Sequence, residues 1–318
     1  MNVEHGATVA VFGATGTQGG AVARHLAGMG YRVLALGRNE NALVSMAVDG
    51  CEPRRIPDLT FDTLTTALRG AQAAFVTVPY AACGRDVPLE ETARDIALAM
   101  VDAGIGRAVW TTSWLVAARG RTVSKTFDDL RAFVDIALSS RIPSAVLKPA
   151  GYLDNFLAKG TAEAIAGGKL PYMLPADFRY RWVSCSDQAR VVARILATDE
   201  FPYGEFDLGT ASTGLELAEA ASRALGRRVD WQPVTPRDFA DRWRPTLGGA
   251  ADQIANDYLC IAEHHEDLGP ARPGRPIART VDMEYTRTEE FFREHTDRFT
   301  LSERPQADTA TDGFDQSR

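Results

Sequence analysis

Short apolar runs alternate with segments of helical periodicity from the start of the chain. Ala7–Phe12 is continuous and bounded by glycines, the pattern of a strand buried on both faces. Gln18–Met29 then places apolar residues at helical spacing and closes on Gly28 and Gly30. The alternation predicts further strands at Arg32–Leu36, Glu52–Ile56, Ala73–Val78, Ala108–Thr112 and Ser144–Leu147. Helices are predicted between them at Asn39–Val48, Phe61–Leu68, Leu89–Ala103 and Thr126–Ser139. The last of these takes Thr126 as N-cap, with Asp129 in the place of a capping-box glutamate. Repeated βα units of this kind imply an α/β fold with a doubly wound parallel sheet and right-handed crossovers.

After Pro149 the rhythm changes. A helix is predicted over Leu153–Ala166, followed by a Gly-, Pro- and aromatic-rich loop or lid over Gly167–Tyr180. Helix Asp187–Thr198, strand Gly204–Leu208, helix Glu216–Leu225 and strand Arg228–Gln232 come next, then a turn at Thr235-Pro236. Helices resume at Asp238–Trp243, Ala250–His264 and Thr288–His295. No internal repeat is visible.

Composition narrows the function classes. The chain has 318 residues, 45% hydrophobic and 24% charged, as expected of a globular protein able to bury a large core. No apolar run reaches the roughly 18 residues that a membrane span needs. The start, MNVEHGATVAVFG, has no basic n-region, so it does not read as a secretion signal. A formal net charge of -7 argues against a nucleic-acid surface. Cys51, Cys83, Cys185 and Cys260 form no CxxC pair and no framework, which suits reduced thiols and a cytoplasmic protein.

The strongest motif is Gly13-Ala14-Thr15-Gly16-Thr17-Gln18-Gly19, set between a buried strand and a helix. In that context the glycines have separate tasks: Gly13 makes the tight turn, Gly16 lets the main chain approach a pyrophosphate, and Gly19 lets helix and strand pack closely. The helix N-terminus offers free N–H groups and the positive end of its dipole to phosphates. The second strand ends in Leu36-Gly37-Arg38, with no carboxylate to hold a ribose 2′-hydroxyl. A guanidinium there suits a 2′-phosphate, so NADP(H) is favoured over NAD, although a solvated surface arginine is the plainer alternative. The expected organisation is an NADP-binding Rossmann domain over 1–150 and a smaller, interleaved α/β substrate-binding region over 151–300. Residues 183–209 are expected to return to the main sheet, and 301–318 to form a disordered tail.

The phrase VFGATGTQGG, with Arg38-Asn39 after the second strand, resembles the NmrA-like family of atypical short-chain dehydrogenases. Pro149-Ala-Gly-Tyr152-Leu-Asp-Asn155-Phe156 is similar to that family's P-x-x-Y/F-x-E/D-N segment. Trp182–Asp187, Gly204–Leu208, Leu225–Arg227 and Val234–Phe239 extend the likeness, which covers about residues 7–240. The resemblance implies either an NADPH-dependent reductase of quinones, enones, imines or aromatic ethers, or an NADP(H)-sensing regulator acting on a protein partner. It implies cofactor contacts at Gly13–Gln18 for the pyrophosphate and Arg38 for the 2′-phosphate. Asp58 and Leu59 would then lie near the adenine, Val78, Pro79 and Tyr80 along the ribose, and Tyr152–Asn155 near the nicotinamide.

The Tyr-x-x-x-Lys pair of ordinary short-chain dehydrogenases is absent. Reductases of the resembled family carry a lysine on the helix before the sixth strand, a position that falls near Leu130 here. Lys125 stands more than one turn earlier and reaches the pocket only if that connection is shifted; otherwise it is a solvated helix-start lysine. Ser113 after the fifth strand and Tyr152 after the sixth are alternative donors to a substrate carbonyl, or simply pack against cofactor. Trp114, Phe156, Tyr172, Met173 and Trp182 either line an aromatic-friendly pocket or belong to the core. Glu263-His264-His265-Glu266 lacks the i, i+4 histidine pair of a zinc helix, so a solvated face is expected and no metal. The expected substrate is a small, largely apolar carbonyl, quinone or imine.

Overall fold

The computed structural model describes residues 6–77, 89–116, 124–268 and 275–300. The buried run Thr8–Phe12 (β1) lies between β2 (Arg32–Gly37) and β4 (Ala73–Thr77). With β3 (Glu52–Arg55), β5 (Arg107–Thr111), β6 (Ser144–Pro149) and β10 (Gly204–Leu208) it forms a seven-stranded sheet in the order β10-β6-β5-β4-β1-β2-β3. Every pairing in it is parallel. Parallel strands need crossovers, and the helices that supply them cover both faces. Helices α1 (Thr17–Gly28), α2 (Glu40–Val48) and α7 (Cys185–Ala197) bury Val22, Leu26, Leu43 and Val192 against one face. Helices α3 (Phe61–Ala67), α4 (Leu89–Asp102) and α5 (Lys125–Ser139) bury Leu64, Ile96, Phe127 and Phe133 against the other. The strand order reverses between β1 and β4, which opens a crevice at the carboxyl ends of the strands.

The remainder of the chain is built over that crevice. Two small sheets form there, β11-β9-β7 and β12-β8, where β7 is Gly151–Tyr152, β8 Lys169–Tyr172, β9 Tyr180–Val183, β11 Thr210–Ser212 and β12 Asp230–Pro233. Phe156, Leu170, Trp182, Leu217 and Phe292 of this region join the same buried cluster as Phe12, Leu36 and Trp110.

Four local expectations differ from the structure. The helix before β6 is capped by Ser124, whose side chain accepts the Phe127 N–H, and not by Thr126. Thr126 is buried one turn in, where its hydroxyl accepts from Gln253 Nε2 at 2.5 Å. The helix expected over 153–166 breaks at Ala158 into a 3-10 turn, Leu153–Leu157, and α6, Lys159–Ala166. The segment expected to be all loop contains β8, which Pro171 disguises; its two-stranded sheet has only edges, where a missing N–H is tolerated. The helix expected at 238–243 runs over Pro236–Leu247 (α9), and α10 follows at Gly249–Leu268. The tail 301–318 lies outside the described residues.

Candidate functional site

The glycine turn leads from β1 into α1. Gly13 has φ of +64°, and an added Cβ would sit 2.8 Å from the Thr77 methyl. The turn is closed by the Ala14 N–H donating to Leu36 O at 3.1 Å and the Gly16 N–H donating to Gly13 O at 2.9 Å. Gly19 presses α1 onto the turn so closely that a Cβ there would stand 2.3 Å from Gly13 O. No side chain caps α1, so the amides of its first turn keep no protein partner.

A cleft of about 700 Å³ lies over this helix end, lined by Thr15, Gly16 and Thr17 on one side and by Asp154, Cys185 and Ser186 on the other. The second side is the N-terminus of α7, which side chains cap at two amides: Asp154 Oδ2 accepts the Cys185 N–H at 2.8 Å, and Ser184 Oγ accepts the Asp187 N–H at 2.9 Å. Of two helix ends facing one cleft, α1 therefore offers more free donors to an anion among the described residues, and α7 has a carboxylate beside its own. Burial, reinforced by Asp154, holds the Cys185 thiol far above its ordinary value, so it stays a thiol. Burial and then Arg190 push His25, also on this cleft, below its ordinary value and keep it neutral near pH 7.

Arg38 is exposed at the end of β2 and makes no hydrogen bond or ion pair with the described residues. Its neighbour Asn39 caps α2, accepting the Ala42 N–H at 3.1 Å. Asp58 Oδ1 accepts from Thr60 N–H at 3.2 Å and Thr60 Oγ1 at 2.7 Å, and these bonds hold its carboxyl below the usual range. Leu59 packs against the core. Val78, Pro79 and Tyr80 lie outside the described residues, as do the side chains of His264, His265 and Glu266.

At the carboxyl edge of the sheet, Gln18, Thr77, Thr112, Ser113, Tyr152 and Tyr258 line a cavity of about 170 Å³. The hydroxyl of Thr112 is buried and has no partner. Ser113 Oγ accepts the Leu115 N–H at 3.3 Å. The Tyr152 hydroxyl donates to Gln188 Oε1, which the Thr111 hydroxyl approaches at 3.5 Å. Burial pushes Tyr152 well above its ordinary value, Cys185 adds to this and Thr111 opposes it, so the phenol stays protonated. Gln188 is wholly buried and its Nε2 is unpaired. Lys125 is not part of this assembly. Its side chain is 58% exposed on the first turn of α5 and pairs with Asp129 at 2.7 Å, while Leu130 is buried.

A second cavity, of about 300 Å³, adjoins the first through Ile254 and Tyr258, which line both. Asn155, Phe156, Tyr172, Met173, Phe239 and Trp243 supply most of its wall. The hydroxyls of Tyr172 and Tyr258 are 2.6 Å apart. Burial pushes Tyr172 up to about 12 against the opposing bonds from Tyr258 and Asn155, so both groups remain neutral donors. Trp114 and Trp182 pack behind the wall: Trp114 Nε1 donates to Tyr180 Oη at 2.8 Å, and the Trp182 ring meets Tyr172 at 4.9 Å. Sequence reasoning missed Gln188, Tyr258 and Phe239. They sit on α7, α10 and α9, and only the docking of those helices brings them to the site.

A model of the NmrA-like family matches residues 5–292. The chain belongs to that family. Among solved structures, this NmrA-like chain is similar to the triphenylmethane reductase of Citrobacter sp., with a TM-score of 0.70 at 19% identity over 92% of this chain and 99% of that one. It is also similar to an Escherichia coli NADPH-dependent quinone oxidoreductase complexed with NADPH, with a TM-score of 0.66 at 20% identity over 91% and 99%. NmrA, a negative transcriptional regulator, in complex with NADP gives a TM-score of 0.68 at 18% identity over 92% and 96%. At these identities the likeness is one of fold. A curated glycerol-3-phosphate dehydrogenase of Thioalkalivibrio sulfidiphilus is 36% identical over 114 residues, so the chain spans about a third (34%) of that relative's length. No helix among the described residues is long and apolar enough to cross a membrane.

Proposed function

We propose that this chain binds NADP(H) and reduces a small, largely apolar carbonyl, quinone or imine. One arrangement carries the reading: the uncapped end of α1 and the ring-lined cavities meet at Gln18, Thr77 and Tyr152 on the switch-point edge of the sheet. The residues fit a dinucleotide. Gly16 presents no side chain over the free amides, Gly13 makes the turn beneath them, and Arg38 is an unengaged guanidinium at the end of β2. Asp58–Leu59 and Val78–Tyr80 would flank the adenosine, and Tyr152–Asn155 the nicotinamide. NADPH bound there supplies a hydride. Thr112 and Ser113 hold hydroxyls in the 170 Å³ cavity against the heteroatom of the substrate, and Thr112 has no other partner. Tyr152, its proton engaged by Gln188, fixes the floor of that cavity. The free thiols Cys51, Cys185 and Cys260 suit a cytoplasmic setting.

One observation favours a second reading, an NADP(H)-sensing regulator with a protein partner: Lys125 faces solvent and Leu130 is buried where the family's reductases carry lysine. Two measurements separate the readings. Calorimetry is expected to show NADPH binding in preference to NADH, with Arg38→Asp weakening NADPH by about a hundredfold through loss and reversal of a charge-assisted contact. Loss of reduced-nicotinamide absorbance with a panel of quinones, enones and imines then supports the reductase. No turnover across the panel, with unequal affinities for NADPH and NADP⁺, supports the sensor. An unchanged cofactor preference in Arg38→Asp refutes both.

A further inference from the structure

The larger cavity carries one charge. Among the described residues its wall is mostly rings and aliphatic groups, with the Asn155 amide and the Thr161 hydroxyl; it contains no Asp or Glu, and Arg242 stands on its solvent side. The Arg242 guanidinium donates one bond, from Nη2 to Gly160 O at 2.6 Å, and has no carboxylate partner among the described residues. The nearby acids are engaged elsewhere. Asp238 accepts from Thr235, and Asp241 and Asp252 both pair with Arg244. Other arginines of the chain also lack an ion pair; Arg242 differs from them in lining an aromatic cavity. Gly160 helps to place it: a Cβ there would lie 2.5 Å from Arg242 Nη2, so the absence of a side chain lets the guanidinium lie flat on the backbone of α6. At the junction with the smaller cavity stands the Tyr172–Tyr258 hydroxyl pair, in a network with Asn155 and Tyr180 from which a ligand acceptor takes a proton by displacing one of these neighbours.

We propose that the cavity selects a flat, apolar ligand that carries an anionic group, such as a carboxylate, at the Arg242 end and a hydrogen-bond acceptor at the Tyr258 end. A planar guanidinium takes a carboxylate through paired N–H bonds, and at this exposed edge solvent keeps the gain modest. The volume of about 300 Å³ suits one or two fused rings. The proposal rests on the reductase reading only for its reacting end, which is the acceptor end beside Thr112 and Ser113.

The test is calorimetric titration of the full-length protein with 6-formyl-2-naphthoate and with its methyl ester, which differ only in charge at one end. The acid is expected to bind about tenfold tighter than the ester, the worth of one charge-assisted pair at a half-open site. Arg242→Gln is expected to abolish that ratio, and Arg242→Lys to keep part of it. Tyr258→Phe is expected to weaken both ligands by a similar factor and leave the ratio intact. Equal binding of acid and ester to the wild type, a ratio that survives Arg242→Gln, no binding of either ligand, or Tyr258→Phe without effect would each overturn the proposal. Adding NADPH separates it from the reductase reading. Selective binding of the acid without nicotinamide oxidation upholds the anion site and removes the reductase; oxidation with no preference for the acid does the reverse.

Discussion

Two glycines in one turn are expected to fail in different ways when replaced by alanine. At Gly19 the new methyl would meet main chain on three sides: Gly13 O at 2.3 Å, Gly13 C at 2.6 Å and Phe12 O at 2.7 Å. The shortest of these is about 1 Å inside the 3.4 Å at which ordinary contact begins, and neither partner is a side chain that can rotate away. Helix α1 must retreat from the end of β1, which loosens the packing of Val22, Ala23 and Leu26, all fully buried. Overpacking in a core costs about 1–3 kcal/mol, and a clash of backbone on backbone belongs at the upper end, about 3 kcal/mol. For a chain of 318 residues that corresponds to a fall in Tm of roughly 4–5 °C.

At Gly16 the corresponding methyl meets only Gly13 O, at 3.3 Å, which a shift of a tenth of an ångström relieves. The fold should lose less than about 1 kcal/mol, the difference between glycine and alanine at an N-cap. Cofactor affinity should instead fall by about tenfold or more, because the methyl stands where phosphate must approach the free amides. Urea melts followed by circular dichroism report the first quantity, and calorimetry with NADPH the second. If Gly19→Ala melts like the wild type, the close approach of helix and turn is not a constraint. If Gly16→Ala binds NADPH normally, the uncapped end of α1 is not the phosphate seat.

Three further outcomes follow from the same reasoning. Burial raises the Glu205 carboxyl, but Arg131 and Lys148 together outweigh it and hold it below its ordinary value. Its stabilisation is therefore complete above the unfolded value of about 4.3 and is lost as pH falls through the lower folded value. Glu205→Gln should cost about 1–2 kcal/mol near pH 7 and flatten the acid limb of the urea-midpoint profile; an unchanged limb would exclude this carboxylate as its source. Asp154→Ala should cost about 1 kcal/mol through loss of the α7 cap, read as a lowered urea midpoint with an unchanged slope. Tyr152→Phe should cost about 1 kcal/mol from its bond to Gln188 while slowing turnover less than tenfold; a loss of about a thousandfold would make it the proton donor after all.

The sheet was legible because each central strand is a continuous apolar run of its own, as in Thr8–Phe12 and Ala73–Thr77, and each crossover helix closes on a recognisable stop. The glycine turn was legible because its chemistry is local. Of the 300 Å³ cavity, one side was legible as well, in Phe156, Tyr172 and Met173; the other was not. Phe239, Arg242 and Tyr258 come from two consecutive helices, and nothing in their spacing distinguishes residues that cover a cavity from residues that face solvent. Gln188 hid for a related reason: it lies in the first turn of an amphipathic helix, and the pairing of β7 with β9, which sets Tyr152 opposite Val183 at the entry to α7, brings it to Tyr152. Thr126 and Ser124 both offered a capping hydroxyl. The choice between them was made by Gln253, far along the chain, which draws Thr126 inward.

The capping difference between α1 and α7 has a consequence for how a dinucleotide must lie. Both helix ends face one cleft, and the positive end of a helix dipole attracts phosphate wherever it is open. Asp154 removes that attraction at α7 by filling the Cys185 N–H with a carboxylate, and its negative charge repels a second anion from the same side. On the proposed reading, phosphate would therefore favour the α1 end of the cleft, in the register set by Gly13 and Gly16. With the phosphates there and Arg38 at the end of β2 on the 2′-phosphate, as proposed, the nicotinamide half would run across β1 and β4 toward Thr77, Thr112 and Tyr152. On that reading the carboxylate that caps α7 would also bias which end of the ligand reaches the cavity.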